Sequence, residues 1–403
     1  MLVAATGVGA GDLATAAFSG AQLGVAILWA VLLGAGCKFV LNEGLTRWQL
    51  ATGQTLLEGA MTRLGRPVQY LFLVYLVIWS FMVAAALMSA CGVAAQAIFP
   101  FFAEAGTGKI VYGIILSLVG LVLVRLGGFS LFEKVMGVCI GLMFITVLAT
   151  ALMLGPDLGA VLDGMFVPTI PQLDGPGLPW TIALIGGVGG TVTILCYGYW
   201  IREEGRQGPE ALRICRIDLG VGYAMTALFG LAMVVIGSTI QMEGKGAGLI
   251  VQLARKLGQQ LGPLGYWAFL LGAFGAIFSS LLGVWQSVPY LFADLWTIMR
   301  ADDPTKSREI DPNSTPYRLY LYGMALVPMV GLWVGFARMQ KTYAIVGALF
   351  LPLLSLVLLL LNSRSAWIGE QYRNRPLTVA ALVFILVFFV AAGGLTVRRV
   401  LGI

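Results

Sequence analysis

Gly7-Val8-Gly9-Ala10-Gly11-Asp12 lies inside the first apolar run of this chain, and Gly186-Gly187-Val188-Gly189-Gly190-Thr191-Val192-Thr193 lies inside the sixth. A glycine in a helix interior costs about 1 kcal/mol relative to alanine, so both runs are expected to unwind, around 9–12 and 190–195. Broken helices survive at membrane depth only where they face a cavity or other protein. Glycines also permit plain close packing of helices. Their positions, however, open two successive groups of five spans, and paired breaks of that kind point to inverted repeats around a midplane binding site.

The composition around these stretches fits a membrane. Of 403 residues 59% are hydrophobic and 11% charged, against roughly 25% charged in soluble domains. That excludes an ordinary soluble enzyme, a nucleic-acid reader and a disordered regulator. The absence of histidine removes His-dependent triads, zinc sites and proton relays. Five cysteines without metal-type spacing, Cys37, Cys91, Cys139, Cys196 and Cys215, read as small apolar residues in a reducing setting. With no nucleophile–base pair and no cofactor loop, neither enzyme activity nor a cofactor is expected.

A membrane helix needs about 20 apolar residues. On that rule eleven spans are predicted, at 1–23, 24–45, 68–98, 109–126, 133–155, 180–201, 218–240, 262–297, 317–336, 341–362 and 377–396. The first begins at Met1, so no signal peptide is expected. With the N-terminus inside, 17 of the 25 Lys and Arg residues fall on the cytoplasmic side, which predicts that orientation and an outward C-terminus. The net charge of +6 then reads as a basic cytoplasmic rim.

Almost all the acids fall in predicted loops, and Asp12, mid-span beside a glycine break, is the exception that matters. A charge at the bilayer centre costs at least about 2.5 kcal/mol unless paired or hydrated. Asp12 can cap the second half-helix and can bind a cation or proton in a cavity; the two roles are compatible. Glu43 and Asp294 sit near span ends and read as structural, and Lys38 and Arg125 are expected to snorkel to the cytoplasmic surface. Around the second break Thr191, Thr193, Cys196, Tyr197 and Tyr199 form a candidate polar lining, joined by Thr15 and by Ser279-Ser280 in the eighth span. Hydroxyls in membrane helices often bond only to their own backbone.

Gly9-Ala10-Gly11-Asp12-Leu13-Ala14-Thr15, continuing to Ser19-Gly20-Ala21-Gln22-Leu23-Gly24, resembles the first-helix signature of the Nramp family of proton-coupled divalent-metal transporters. That signature is Asp-Pro-Gly-Asn-Phe-Ala-Thr followed by Ala-Gly-Ala-Gln-Tyr-Gly. Further resemblances run along the chain: 45–53 to the Arg-Leu-Gly-x-x-Thr-Gly segment after helix two, 131–136 to the opening of helix five, Phe278-Ser279-Ser280 to Gln-Ser-Ser of helix eight, and Leu351-Pro352 to the Leu-Pro of helix ten. The resemblance implies an all-α polytopic membrane protein with a LeuT-like fold. It would be one transporter domain over 1–403, with repeats at about 1–155 and 180–362 and an eleventh helix at about 377–396.

The departures from the family fall on its chemistry. Gly9 and Asp12 stand in the slots of its metal-binding Asp and Asn, and Thr193-Ile194-Leu195-Cys196 replaces Met-Pro-His-Asn of helix six. Loss of the Met thioether removes a soft ligand that favours transition metals. The helix-three acidic pair of the family's proton route aligns with Ala85-Ala86-Leu87-Met88-Ser89.

Three functions remain open. The first is transport of a hard or partly hydrated divalent cation such as Mg²⁺ or Mn²⁺, with Gly9, Ala10, Asp12, Thr191, Thr193 and Cys196 as substrate-binding candidates and Asp12 and Thr193 as metal ligands. One carboxylate is thin for a divalent ion in a low-dielectric site. The second is transport of a small amine or amino acid paired with Asp12, and the third is a non-transporting sensor.

Overall fold

The computed structural model describes residues 9, 11–127, 130–241, 246–301 and 310–401. Long apolar runs satisfy their backbone groups internally by coiling into helices, the form that a lipid interior demands of a spanning segment. Among the described residues, eight helices are each long and apolar enough to cross a membrane. After a widened turn at Gly11–Thr15, α1 spans Ala16–Leu23. Gly24, at φ 68°, then ends it and turns the chain into α2, Leu28–Thr52. A short α3, Leu56–Arg63, is capped by a reciprocal Thr55–Glu58 box. There follow α4 (Arg66–Ile98), α5 (Ala105–Leu126) and α6 (Ser130–Met153).

From Gly137–Met153 the chain bends by 117° into α7, Leu158–Phe166. The sixth span comes in two pieces, α8 (Leu178–Gly187) and α9 (Cys196–Glu203). Then come α10 (Gly208–Gly237) and α11 (Leu249–Arg300). The remaining helices are α12 (Thr315–Leu326), α13 (Phe336–Ala348), α14 (Phe350–Asn362) and α15 (Pro376–Leu401).

Several expectations shift. The eighth span is longer than predicted, because a helical arm from Leu249 bends at Gly262 (φ 67°) into the predicted segment. The ninth gives way to a tighter Val327–Trp333 coil at Pro328. The short helices α3 and α7 were not predicted. The sixth break opens earlier, since α8 stops at Gly187. Residues 1–8 and 10 of the first span lie outside the described residues.

Cross-contacts fix directions. Asp12 meets Gly189 while Ser19 donates to the Trp180 carbonyl, so α1 runs antiparallel to α8. Trp29 donates to the Thr169 carbonyl and Lys38 to that of Gly186, so α2 runs the same way as α8. Phe18 packs between Trp180 and Phe336 at ring distances of 5.8 and 5.5 Å, tying α1, α8 and α13 into one core. Large apolar side chains, among them Leu71 and Val74 on α4, Val122 on α5 and Phe384 on α15, point outward and form the surface that lipid would cover.

Charges gather at one end. Arg47 pairs with Glu43 at 2.9 Å and donates to the Tyr372 carbonyl and to Asn374, while Arg216 reaches the other oxygen of Glu43 at 2.6 Å. This network joins α2, α10 and the segment before α15, which is the structural role expected of Glu43.

Candidate functional site

Asp12 sits where the two breaks cross. Its Oδ2 accepts from the Gly9 backbone N–H at 3.1 Å and its Oδ1 from the Gly189 N–H at 2.9 Å. One carboxylate thereby satisfies a backbone donor from each unwound segment. Gly189 holds φ 78°, a conformation that favours glycine. Gly11 allows the approach, since a Cβ there would lie 2.5 Å from the Gly187 carbonyl oxygen.

Lys38 corrects the expectation of snorkelling. Its side chain is 0% exposed, and its Nζ donates to the carbonyls of Gly186, at 2.8 Å, and Val188. Gly186 lies in the last turn of α8 and Val188 just past its end, where unpaired C=O groups and the negative end of the helix dipole favour a cation. Asp12 and Lys38 lie within each other's electrostatic field, so the pair brings an acid and an amine to the crossing. Asp12 was among the sequence candidates and Lys38 was not.

The other candidates divide. Thr15 is buried against Gly187, and its hydroxyl has no partner. Thr191 accepts from the Trp79 indole at 3.0 Å and also meets the Tyr343 hydroxyl, which lies within electrostatic reach of Asp12. Thr193 lies over Gly190. Ser279 and Ser280 both donate to their own helix at the Ala276 carbonyl, although Ser280 also borders Gly9. The Cys196 thiol pairs with Ser287 of α11. Tyr197 is drawn off to Asp218 at 3.1 Å, because that carboxylate offers its hydroxyl a buried acceptor. Ala10 lies outside the described residues. Sequence reading missed Lys38, Trp79, Tyr343 and the Asn42–Tyr223 pair, in which the Asn42 amide donates to the Tyr223 hydroxyl at 3.2 Å. The Tyr223 ring lies over Gly189.

At the charged end, α9 is fastened twice. Arg202 pairs with Glu58 of α3, and Tyr199 donates to Asp294 of α11, each at 2.6 Å. Among the described residues no three acidic or thiol side chains converge as a ready-made metal cage.

A family model described as natural resistance-associated macrophage protein-like (Nramp) matches residues 1–398. Comparison with curated proteins finds no match. Among solved structures, a mutant manganese transporter of Eremococcus coleocola is similar at a TM-score of 0.69 and 15% identity, covering 99% of this chain and 85% of that one. The same transporter in complex with an aromatic bis-isothiourea substituted compound matches at 0.68, again at 15% identity and with the same coverage. MhsT in complex with L-phenylalanine matches at 0.64 and 15% identity, over 97% of this chain and 95% of that one. At such identities the likeness carries the LeuT-like helical fold.

Proposed function

Since the chain belongs to the Nramp family, and is thereby a multi-pass membrane protein, we propose that it is a secondary transporter carrying a hard divalent cation such as Mg²⁺ or Mn²⁺ by alternating access. The observation that carries this reading is Asp12, a buried carboxylate shared by both broken spans. Its neighbours Gly186, Val188 and Thr15 offer only oxygen, the donor that hard cations prefer. The Eremococcus transporter is described as a manganese transporter, which supports the substrate class.

On this reading the repeats cover about 1–155 and 180–362, with an added helix at about 377–396. The protein lies in the cell membrane with its N-terminus cytoplasmic, its C-terminus outside and its charged end toward the cytoplasm. Clasps from Arg202 and Tyr199 then hold α9 closed at the inner face.

The pairing of an acid, Asp12, with an amine, Lys38, favours one second reading, a zwitterionic solute such as an amino acid. Uptake of ⁵⁴Mn²⁺, Mg²⁺ and labelled amino acids into proteoliposomes separates the two. Saturable metal uptake lost in Asp12→Asn supports the first, and amino-acid uptake without metal flux overturns it.

A further inference from the structure

Lys38 places its charge where a transported cation would go. It sits mid-way along α2, and its Nζ donates to two carbonyls, of Gly186 and Val188, that converge at the end of α8. Two carbonyl oxygens within reach of one compact ammonium are also two oxygens within reach of one ion. A second, independent observation marks the same spot. The Thr15 hydroxyl is fully buried, has no hydrogen-bond partner and lies against Gly187, the residue between those carbonyls. One turn along α2, the side-chain amide oxygen of Asn42 is likewise buried without a partner. Buried polar atoms are nearly always paired, so an unused hydroxyl against the residue between two lysine-bound carbonyls marks a place with oxygen to spare for coordination.

We propose that Lys38 is a tethered occupant of a cation position formed by the Gly186 and Val188 carbonyls with Asp12 and Thr15, and that a hard cation binds there only by displacing the ammonium. The inference rests on the cation-transport reading and deepens it. With Lys38 seated, the pair with Asp12 is neutral, and an added divalent ion would leave two uncompensated positive charges in a low-dielectric pocket. With Lys38 withdrawn, the ion inherits the carbonyls, the helix dipole and the whole of the Asp12 charge. The lysine is thus an intramolecular competitor that sets the affinity and keeps an empty site from leaving its carbonyls unpaired.

The test uses the full chain purified in detergent, titrated calorimetrically with Mn²⁺. Lys38→Gln, which keeps a donor without the charge, and Lys38→Met are both expected to bind Mn²⁺ at least tenfold more tightly than the unaltered protein. Adding Thr15→Val or Asp12→Asn to Lys38→Gln is expected to remove that gain. Lys38→Arg keeps the charge and is expected to gain nothing. Mn²⁺ binding that is unchanged or weaker in both neutral variants overturns the proposal, as does binding of Mn²⁺ by neither chain.

If the neutral variants gain affinity while proteoliposomes carry no Mn²⁺, the transport reading falls and the cation position stands. A measurement on the unaltered protein covers variants that fail to fold. Saturating Mn²⁺ is expected to raise acylation of Lys38 by a small amine reagent, read by mass spectrometry, and an unchanged yield overturns the proposal.

Discussion

Asp12 accepts two N–H donors from two separate stretches of chain, and an asparagine there has only one oxygen with which to do so. The Nδ2 of Asp12→Asn would face the second N–H donor to donor, leaving a buried group unpaired at a cost of about 1–3 kcal/mol. The variant is expected to melt several degrees lower in detergent and to lose cation flux; flux at the original rate would reduce Asp12 to a cap. Soft metals test the neighbouring candidate. Because the Cys196 thiol is paired with Ser287, Cys196→Ser is expected to leave the Cd²⁺ to Mn²⁺ affinity ratio within about twofold by calorimetry, consistent with oxygen-only ligation. Asp12 was legible in the sequence because an acid inside an apolar, glycine-broken run has few bland explanations. Lys38 was misread, although arithmetic argues against snorkelling: Thr52, where α2 ends, is about 21 Å further on at 1.5 Å per residue. What the sequence hides is the partner, since nothing in 186–188 announces which carbonyls a distant lysine will meet. Asn42, Tyr223 and Tyr343 carry no local signal either, because a lone amide or phenol in an apolar helix becomes a site only through packing.

At the scale of elements, the breaks were readable because glycine runs weaken helices wherever they occur, whereas the bend at Gly262 and the turn into α7 depend on how segments dock. The two breaks stay in register through backbone contact. A methyl on Gly11 would meet the Gly187 carbonyl oxygen at 2.5 Å, whereas one on Gly36 of α2 meets nothing within 4 Å. Gly11→Ala is therefore expected to destabilise by about 1–3 kcal/mol through overpacking, while Gly36→Ala is neutral or stabilising by up to about 1 kcal/mol; thermal melts of the pair check both. The α9 half-helix is held by Arg202–Glu58 and Tyr199–Asp294, part-buried bonds of the charge-assisted kind, which are the stronger ones. Removing both clasps with Glu58→Gln and Tyr199→Phe is expected to free α9 and to speed labelling of Cys196, buried at its first turn, by a water-soluble maleimide at least tenfold. The background for that measurement lacks the other four cysteines, and an unchanged rate would mean that α9 does not move as the inner gate.

Over the whole molecule, the family scaffold persists, while the sequence departs from the family where the resemblance places its proton route. The stretch that resembles the helix-three acidic pair of the family reads Ala85-Ala86-Leu87-Met88-Ser89, and α4 buries all five. Gln340 of α13 donates to the Ala86 carbonyl there at 3.1 Å, so a neutral amide packs against this stretch. This departure was legible from sequence alone, because replacing a carboxylate by a methyl removes the chemistry whatever the packing. Cation flux is therefore expected to follow the cation gradient and the membrane voltage, without protons moving along α4. In proteoliposomes holding a pH-sensitive dye, Mn²⁺ entry at an imposed potential is expected to leave the internal pH unchanged. The titratable groups at the crossing, Asp12 and Lys38, define the control. Mn²⁺-dependent acidification that survives both Asp12→Asn and Lys38→Gln would demand a proton path elsewhere in the bundle. Acidification abolished by Lys38→Gln alone would instead make the tethered amine the coupling group, so that cation entry and proton movement share one residue rather than two routes.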